Sequence, residues 1–423
     1  MIRAVVGLNW GDEGKGRMVD YFARKADVVV RFQGGDNAGH TVVNDRGKFA
    51  FHNFPSGICH DDVVNIIAPG SVINPDSFFS ERKTLVEAGL SCEGIVISDR
   101  ATVILPYHLQ VEALEEIRLG ANRYGSTGRG IAPSYADRYA KKAIQIGELL
   151  DHEYLKTRTS ALVEYHNMIL QGCYEAEPLD PAAELERLDS WGRELKPLVR
   201  DIAPIIDQAI DGDKTILLEA QLGALRDIIH GIYPFTTSSS VLAGFAAASV
   251  PVPANRIKAV TGVTKAYSTC VGAGPFITEI DGDLATTIRE RGKEYGATTG
   301  RPRRIGYFDA VATRYGTRLQ GANEMVITCL DVLSGVGPLE ICVGYEDDNT
   351  VSERFPIMPT LRHTKPVYEQ HPGWDEDITE ARRFDDLPTK AKEYVRRVEE
   401  LVGVSVSHVS VGPDREALIE MSA

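Results

Sequence analysis

Short, unbroken apolar runs alternate along this chain with segments of helical spacing. Residues 2–8 form an apolar run bounded by Asn9 and Gly11, the pattern of a strand buried on both faces. Residues 16–24 place Met18, Val19 and Phe22 at helical intervals, and residues 27–32 hold Val28, Val29 and Val30, a second buried strand. Further strands are predicted at 63–68, 94–98, 215–218, 326–330, 339–343 and 404–411. Helices are predicted at 107–119, at 195–209 with a kink or break at Pro204, and at 389–401. Residues 151–211 are charged and helix-rich, and read as a helical insertion. The alternation predicts an α/β fold: a large, mostly parallel central sheet with helices on both faces. The expected organisation is one large domain over residues 1–423, with the insertion near 151–211 and a C-terminal part from about 255.

Composition narrows the function classes. The chain has 423 residues and a formal net charge of −14, which argues against a dedicated nucleic-acid binder. It leaves room for a small phosphorylated ligand held by local basic loops. The apolar segment 241–254 is interrupted by Ser249, Pro251 and Pro253 and is too short to span a bilayer, so no membrane association is expected. Six cysteines without metal spacing, and an N-terminus lacking a signal pattern, predict a reduced, cytoplasmic protein. The 39 glycines carry more information, because main chain approaches phosphate most closely where side chains are absent.

The glycines cluster in loops that could carry chemistry. After the first strand comes Trp10-Gly11-Asp12-Glu13-Gly14-Lys15-Gly16. A strand, a glycine-rich loop with one Lys, and a helix form a P-loop-like phosphate cradle, although the standard Walker spacing is missing. After the second strand comes Gln33-Gly34-Gly35-Asp36-Asn37-Ala38-Gly39-His40-Thr41. Loops at the carboxyl ends of adjacent parallel strands are where such sheets bind ligands. His40 there reads as an acid or electrophile, and Asp12 as a base or Mg²⁺ ligand. Ser126-Thr127-Gly128-Arg129-Gly130 and Thr298-Thr299-Gly300-Arg301-Pro302-Arg303-Arg304 offer hydroxyls and guanidiniums that suit carboxylate and phosphate. Asp331 ends a strand, where it either caps a helix or accepts from guanine N1 and N2.

Together these loops closely resemble the adenylosuccinate synthetase family over nearly the whole chain. The resemblance extends through Lys265-Ala-Tyr-Ser-Thr269, Val271-Gly-Ala-Gly-Pro-Phe276, Gly296-Ala-Thr-Thr-Gly-Arg301, Leu330-Asp-Val-Leu333 and Gly412-Pro-Asp-Arg415. It implies a ligase of purine biosynthesis that joins IMP to L-aspartate with GTP and Mg²⁺, through a 6-phosphoryl intermediate, in a homodimer with composite sites. Asp12 and His40 would be catalytic, and Asp12 with the Gly39 main chain would hold the metal. Gly11, Glu13, Gly14, Lys15, Gly16, Gly39, His40, Thr41, Arg303, Asp331, Ser410 and Gly412 would meet the triphosphate nucleotide. Asp12, Asn37, Thr127, Lys141, Leu222, Thr237 and Arg301 would meet IMP. Thr298, Thr299, Arg301 and Arg303 would meet aspartate.

The departures from the family pattern fall at purine- and guanine-contacting positions. A family Gln that contacts IMP aligns with Leu222, leaving Gln221 shifted by one, and an acidic residue becomes Ile229. Cys329 replaces a Lys whose stem covers guanine, and Cys270 replaces an Arg. Lys141 replaces an Arg that reaches the neighbouring subunit's IMP. Two alternatives follow. One is a paralogue that applies the same phosphoryl activation to another purine nucleotide or carbonyl, with GTP or another triphosphate. The other is a non-catalytic guanine-nucleotide-binding protein, against which the presence of both Asp12 and His40 argues.

Overall fold

The computed structural model describes residues 1–296 and 300–421. Ten strands form the central sheet: β1 (Ile2–Gly7), β2 (Val28–Arg31), β3 (Val64–Ile67), β4 (Ile95–Ser98), β5 (Val199–Arg200), β6 (Ile216–Gly223), β7 (Ile257–Lys265), β8 (Glu324–Thr328), β9 (Val406–Ser410) and β10 (Leu418–Glu420). Their spatial order is β10-β9-β8-β7-β1-β6-β2-β3-β4-β5. Every neighbouring pair is parallel except β9 and the edge strand β10. β1 lies inside the sheet, with Ala4 opposite Leu218 on one side and Val260 on the other.

The apolar run of β1 is continuous because both faces are covered. Ile2, Ala4 and Val6 pack with Ile206, Ala209, Ala246 and Val250, whereas Val5 packs with Met18, Val19 and Ala23. Those partners come from helices on opposite sides: α1 (Lys15–Ala23) on one face, and α6 (Ala203–Asp211) with the short helix Ala243–Ser249 on the other. Two-residue alternation thus feeds two separate cores from one strand.

Two sequence expectations change, and one strand was not anticipated. The helical pattern at 195–209 is divided rather than kinked: α5 (Pro181–Leu195) ends, β5 intervenes, and α6 opens with Pro204 in its first turn. Proline is tolerated there because first-turn N–H groups lack helical partners anyway. The insertion therefore adds an edge strand to the sheet, with Val199 opposite Ile97. Its long helix α4 (His152–Tyr174) buries Leu155, Leu162 and Leu170 in the core that also holds Phe54 and Phe78. The interior strand β7 had no expectation, because Lys258, Thr261, Gly262 and Lys265 interrupt its apolar run. Those polar groups are satisfied locally; Thr261 Oγ1 accepts from Arg3 at 2.9 Å.

The helix Ala310–Gln320, called α7, lies against the end of β1. At Gly316 a methyl group would overlap the main-chain carbonyl oxygen of Leu8. None of the described helices is long and apolar enough to cross a membrane.

Gly316→Ala sets two effects in opposition. Helix propensity favours alanine by about 1 kcal/mol. Overpacking against a backbone atom that cannot rotate away costs roughly 1–3 kcal/mol. The clash should win, lowering the midpoint of urea unfolding; an unchanged or raised midpoint would show that α7 stands off the sheet.

Candidate active site

The loops singled out in the sequence gather at the carboxyl ends of β1, β2, β6, β7, β8 and β9. Two cavities lie there. The larger, about 450 Å³, is lined by Trp10, Asp12, Asn37, Gly39, Thr127, Leu222, Arg226, Thr237, Val271 and neighbours. The smaller, about 100 Å³, is lined by Asp12, Gly14, Lys15, Gly16, Gly39, His40, Thr41, Leu222 and Arg303. Asp12, Ala38, Gly39 and Leu222 line both, so the cavities share a wall.

The first loop is built around Glu13. Expected to meet a triphosphate, Glu13 instead turns its carboxylate inward and is almost fully buried. Its Oε1 accepts from the N–H of Asn9 at 3.1 Å and of Gly11 at 2.8 Å, and Lys15 Nζ lies 2.5 Å from Oε2. Gly14 takes a left-handed φ of 95° at the N-terminus of α1, a conformation that favours glycine. Gly14, Lys15 and Gly16 line the small cavity at the N-terminus of this helix, a setting that suits an anion. At Gly16 a Cβ would lie 2.6 Å from that of His40, so the two loops touch.

His40 heads the hairpin strand His40–Asn44. Its Nδ1 lies 2.5 Å from Oε1 of Glu219, a carboxylate with no exposed surface on β6. Ser56 also donates to Glu219, through N–H at 2.8 Å and Oγ at 2.6 Å. Burial pushes the Glu219 carboxyl up, but His40 and the Ser56 donors outweigh it and hold the group below its ordinary value. An ionised carboxylate only accepts, so Nδ1 is the donor, which leaves Nε2 available on a residue that lines the small cavity. That Nε2 is buried without a hydrogen-bond partner. Sequence reading missed Glu219 as the residue that orients His40. The signal was an acid inside an otherwise apolar strand, which needs a partner to be buried at all.

Asp12 stands at the shared wall with a left-handed φ of 60°. Burial raises its carboxyl, yet Arg303, Lys265, Lys15 and His40 outweigh burial and hold it below the usual carboxylate range. Arg303 Nε is 3.2 Å from Asp12 Oδ2. A carboxylate and a main-chain carbonyl from Asp12 and Gly39, beside a small polar cavity, are hard oxygen donors of the kind Mg²⁺ takes. Asn37 Oδ1 and Trp10 Nε1 are also buried without protein partners at the larger cavity. Such groups ordinarily find partners, so several together mark a place where a polar ligand completes the bonding.

Other expected residues separate into groups. Asn37, Thr127, Thr237 and Leu222 line the larger cavity. Gln221 points elsewhere: its Nε2 donates to Gly35 O at 2.8 Å. Gly11 shapes the first loop through its φ of 105° and lines neither cavity. Lys141 is exposed and outside both cavities, and Arg301 is exposed beside Gly125. Thr298 and Thr299 lie outside the described residues. Ile229 is exposed, in a turn held by the buried Asp227, and lines neither cavity. Not all four arginines of the basic loops are spare anion binders. Arg304 pairs with Glu279, and Arg129 Nη1 is 3.5 Å from Asp36.

Asp331, Ser410 and Gly412 form a third group beyond β8 and β9. Ser410 Oγ accepts from Arg17 and donates to Gly412 O at 3.2 Å. Burial raises the Asp331 carboxyl against the pull of Arg17, and Asp331 Oδ1 is buried without a partner. Arg17 was not singled out in the sequence. Nor was Arg226, whose Nη2 donates to Cys270 Sγ at 3.1 Å and Val271 O at 2.5 Å, while Nη1 donates to Phe235 O. A guanidinium thus stands beside position 270, but it arrives from position 226.

Residues 4–419 match the family model described as adenylosuccinate synthetase. A protein named adenylosuccinate synthetase from Dehalococcoides mccartyi is 45% identical over 419 residues, covering 99% of both chains. The solved structure of fully ligated adenylosuccinate synthetase from Plasmodium falciparum superposes with a TM-score of 0.93 at 30% identity, covering 99% of each chain. The succinoaminodeoxyadenylate synthetase of cyanophage S-2L, bound to dGMP and dATP as an energy donor, is more distant. It has a TM-score of 0.64 at 18% identity, covers 100% of this chain and 95% of its own, and shares the fold.

The Glu219 pair carries a pH signature. A carboxyl held below its ordinary value of 4.5 stabilises the folded state above that pH and loses the contribution as pH falls through the folded value. The stability difference between wild type and Glu219→Gln should be present at about pH 5 and shrink as pH falls further. A difference that persists undiminished below that range, followed by denaturant titration at several pH values, would show that the Glu219 carboxyl is not held below its ordinary value.

Proposed function

The chain belongs to the adenylosuccinate synthetase family and is a C–N bond-forming ligase, and from that premise we propose that it joins L-aspartate to the 6-oxo position of IMP at the expense of GTP. The products are adenylosuccinate, GDP and phosphate. The observation that carries this reading is the wall common to the two cavities. A purine in the larger one, edged by Asn37, Thr127, Thr237 and Leu222, meets a triphosphate in the smaller one at Asp12 and His40.

A 6-oxo purine is a poor electrophile, and the residues present answer that difficulty. Asp12, kept ionised by the surrounding cations, takes the proton from N1 and moves charge onto O6. O6 attacks the γ-phosphorus, the bond to the β-phosphate oxygen breaks, and GDP leaves. His40, oriented by Glu219, stabilises the charge developing between O6 and the phosphoryl group through Nε2. The amine of aspartate then adds at C6, phosphate departs with the C6–O6 bond, and the amine proton is lost to solvent. Lys15 and the loop N–H groups hold the phosphates, since this chemistry depends mainly on position and charge. Asp12 and the Gly39 carbonyl would hold Mg²⁺, which would supply charge neutralisation on the triphosphate. Arg301 and Arg303 grip the carboxylates of aspartate, with Thr298 and Thr299. Asp331, Ser410 and Gly412 frame guanine: the unpartnered Asp331 oxygen suits the N1 and N2 donors, whereas adenine would present an acceptor. Lys141, exposed and outside its own cavities, is assigned to the pocket of a second copy in a homodimer.

Crossing GTP or ATP with IMP, GMP and dGMP, in the presence of Mg²⁺ and aspartate, tests the assignment. GDP release should require IMP and aspartate together; release that ignores IMP would sink it and favour a paralogue with another acceptor. His40→Asn should lower kcat by roughly 10²- to 10⁴-fold while nucleotide binding persists. A protein with no turnover to lose would instead be a nucleotide-binding module.

A further inference from the structure

Three donors converge on one buried carboxylate behind the proposed amino-acid loop. Glu294 is 1% exposed. Lys265 Nζ lies 2.7 Å from both of its oxygens, and Tyr267 OH donates to Oε1 at 2.5 Å. Arg303 Nη1 donates to Oε2 at 2.7 Å. The main chain repeats the tie, with Arg303 N–H donating to Glu294 O at 2.9 Å. Lys265 closes the interior strand β7 and also donates to Thr269 Oγ1 at 2.8 Å, so the cluster is braced to the sheet.

The other edge of Arg303 faces the reaction. Its Nε is 3.2 Å from Asp12 Oδ2 yet completes no hydrogen bond. A guanidinium beside a carboxylate prefers the parallel, two-bond arrangement. Here the Glu294 contact occupies Nη1 and holds the fork turned, so Asp12 receives charge without being capped. Burial raises the Glu294 carboxyl, but Lys265 and Arg303 outweigh it, so Glu294 is ionised and able to restrain both cations.

We propose that Glu294 is a positioning residue: it holds Arg303 in the orientation that leaves Asp12 free as a base and presents the guanidinium to the carboxylate of the amino-acid substrate. Tyr267 and Lys265 act through Glu294 to fix that orientation. The proposal rests on the reading that Arg303 meets aspartate, and it adds residues that never touch substrate.

Glu294→Gln keeps the shape and removes the charge. It should raise the KM for aspartate about tenfold, the scale of one charge-assisted hydrogen bond, while the KM for IMP and for GTP stays within about twofold. Tyr267→Phe removes one donor and should move the aspartate KM in the same direction by about two- to threefold, which keeps the test open if Glu294→Gln folds poorly. Arg303→Lys abolishes the fork, so adding Glu294→Gln to it should change kcat/KM for aspartate by less than about twofold. Equal losses for IMP and aspartate, or full additivity with Arg303→Lys, would overturn the positioning role. Wild-type protein without aspartate-dependent turnover would overturn the functional reading and this inference with it, whereas an active wild type with additive variants overturns the inference alone.

Discussion

Glu13 folds its carboxylate back beneath the loop that carries it, and the carboxyl ends of three strands are arranged around that buried charge. It fixes the N–H groups of Asn9 and Gly11 and anchors Lys15. Thr328 at the end of β8 donates to the Glu13 carbonyl at 2.7 Å. Gly7 on β1 and Gly223 on β6 must be bare, because a Cβ at either position would run into the Glu13 carboxylate. An ion this deeply buried is tolerated only when its lone pairs are filled, and four elements supply what fills them or leave room for it. The first glycine loop owes its shape to this anion.

Charge balance then explains how a strongly acidic chain gathers basic side chains at its cavities. Lys15, Lys265, Arg303 and His40 lie near Asp12, and their effect on it exceeds the cost of its burial. Glu13, Glu294 and Glu219 each neutralise part of that cluster from the side away from the cavities. Lys15, His40 and Arg303 line the small cavity with carboxylates behind them, whereas Lys265 lines neither cavity and acts through Glu294. Net charge over the whole chain says little about such a layered arrangement.

Much of this was legible in the residues. The apolar runs located most of the sheet, and the glycine loops marked the strand ends that line the two cavities. What escaped followed physical causes. β7 was hidden because its polar residues are satisfied by cross-strand and loop partners that periodicity does not encode. Glu219, Glu294 and Arg17 look like ordinary charged residues in one dimension; only folding reveals them as buried and convergent. Leu222 could be located from the family spacing. That the neighbouring Gln221 turns away, its Nε2 donating to Gly35 O, goes with a local irregularity of the strand: Leu222 has a φ of 59°, where β6 shifts its register against β1.

The Arg226 contact with Cys270 bears on which later substitutions this protein can accept. A thiol is small and neutral, and a guanidinium rests 3.1 Å from it. Arginine at 270 would bring a second cation into the same buried space, with like charges and no carboxylate between them. Position 270 is therefore closed to arginine while 226 remains arginine, and losing Arg226 first leaves the carbonyls of Phe235 and Val271 without their donor. Arginine at 270 is disfavoured beside Arg226, and loss of Arg226 strips donors from two carbonyls, so substitutions at the two positions are energetically coupled.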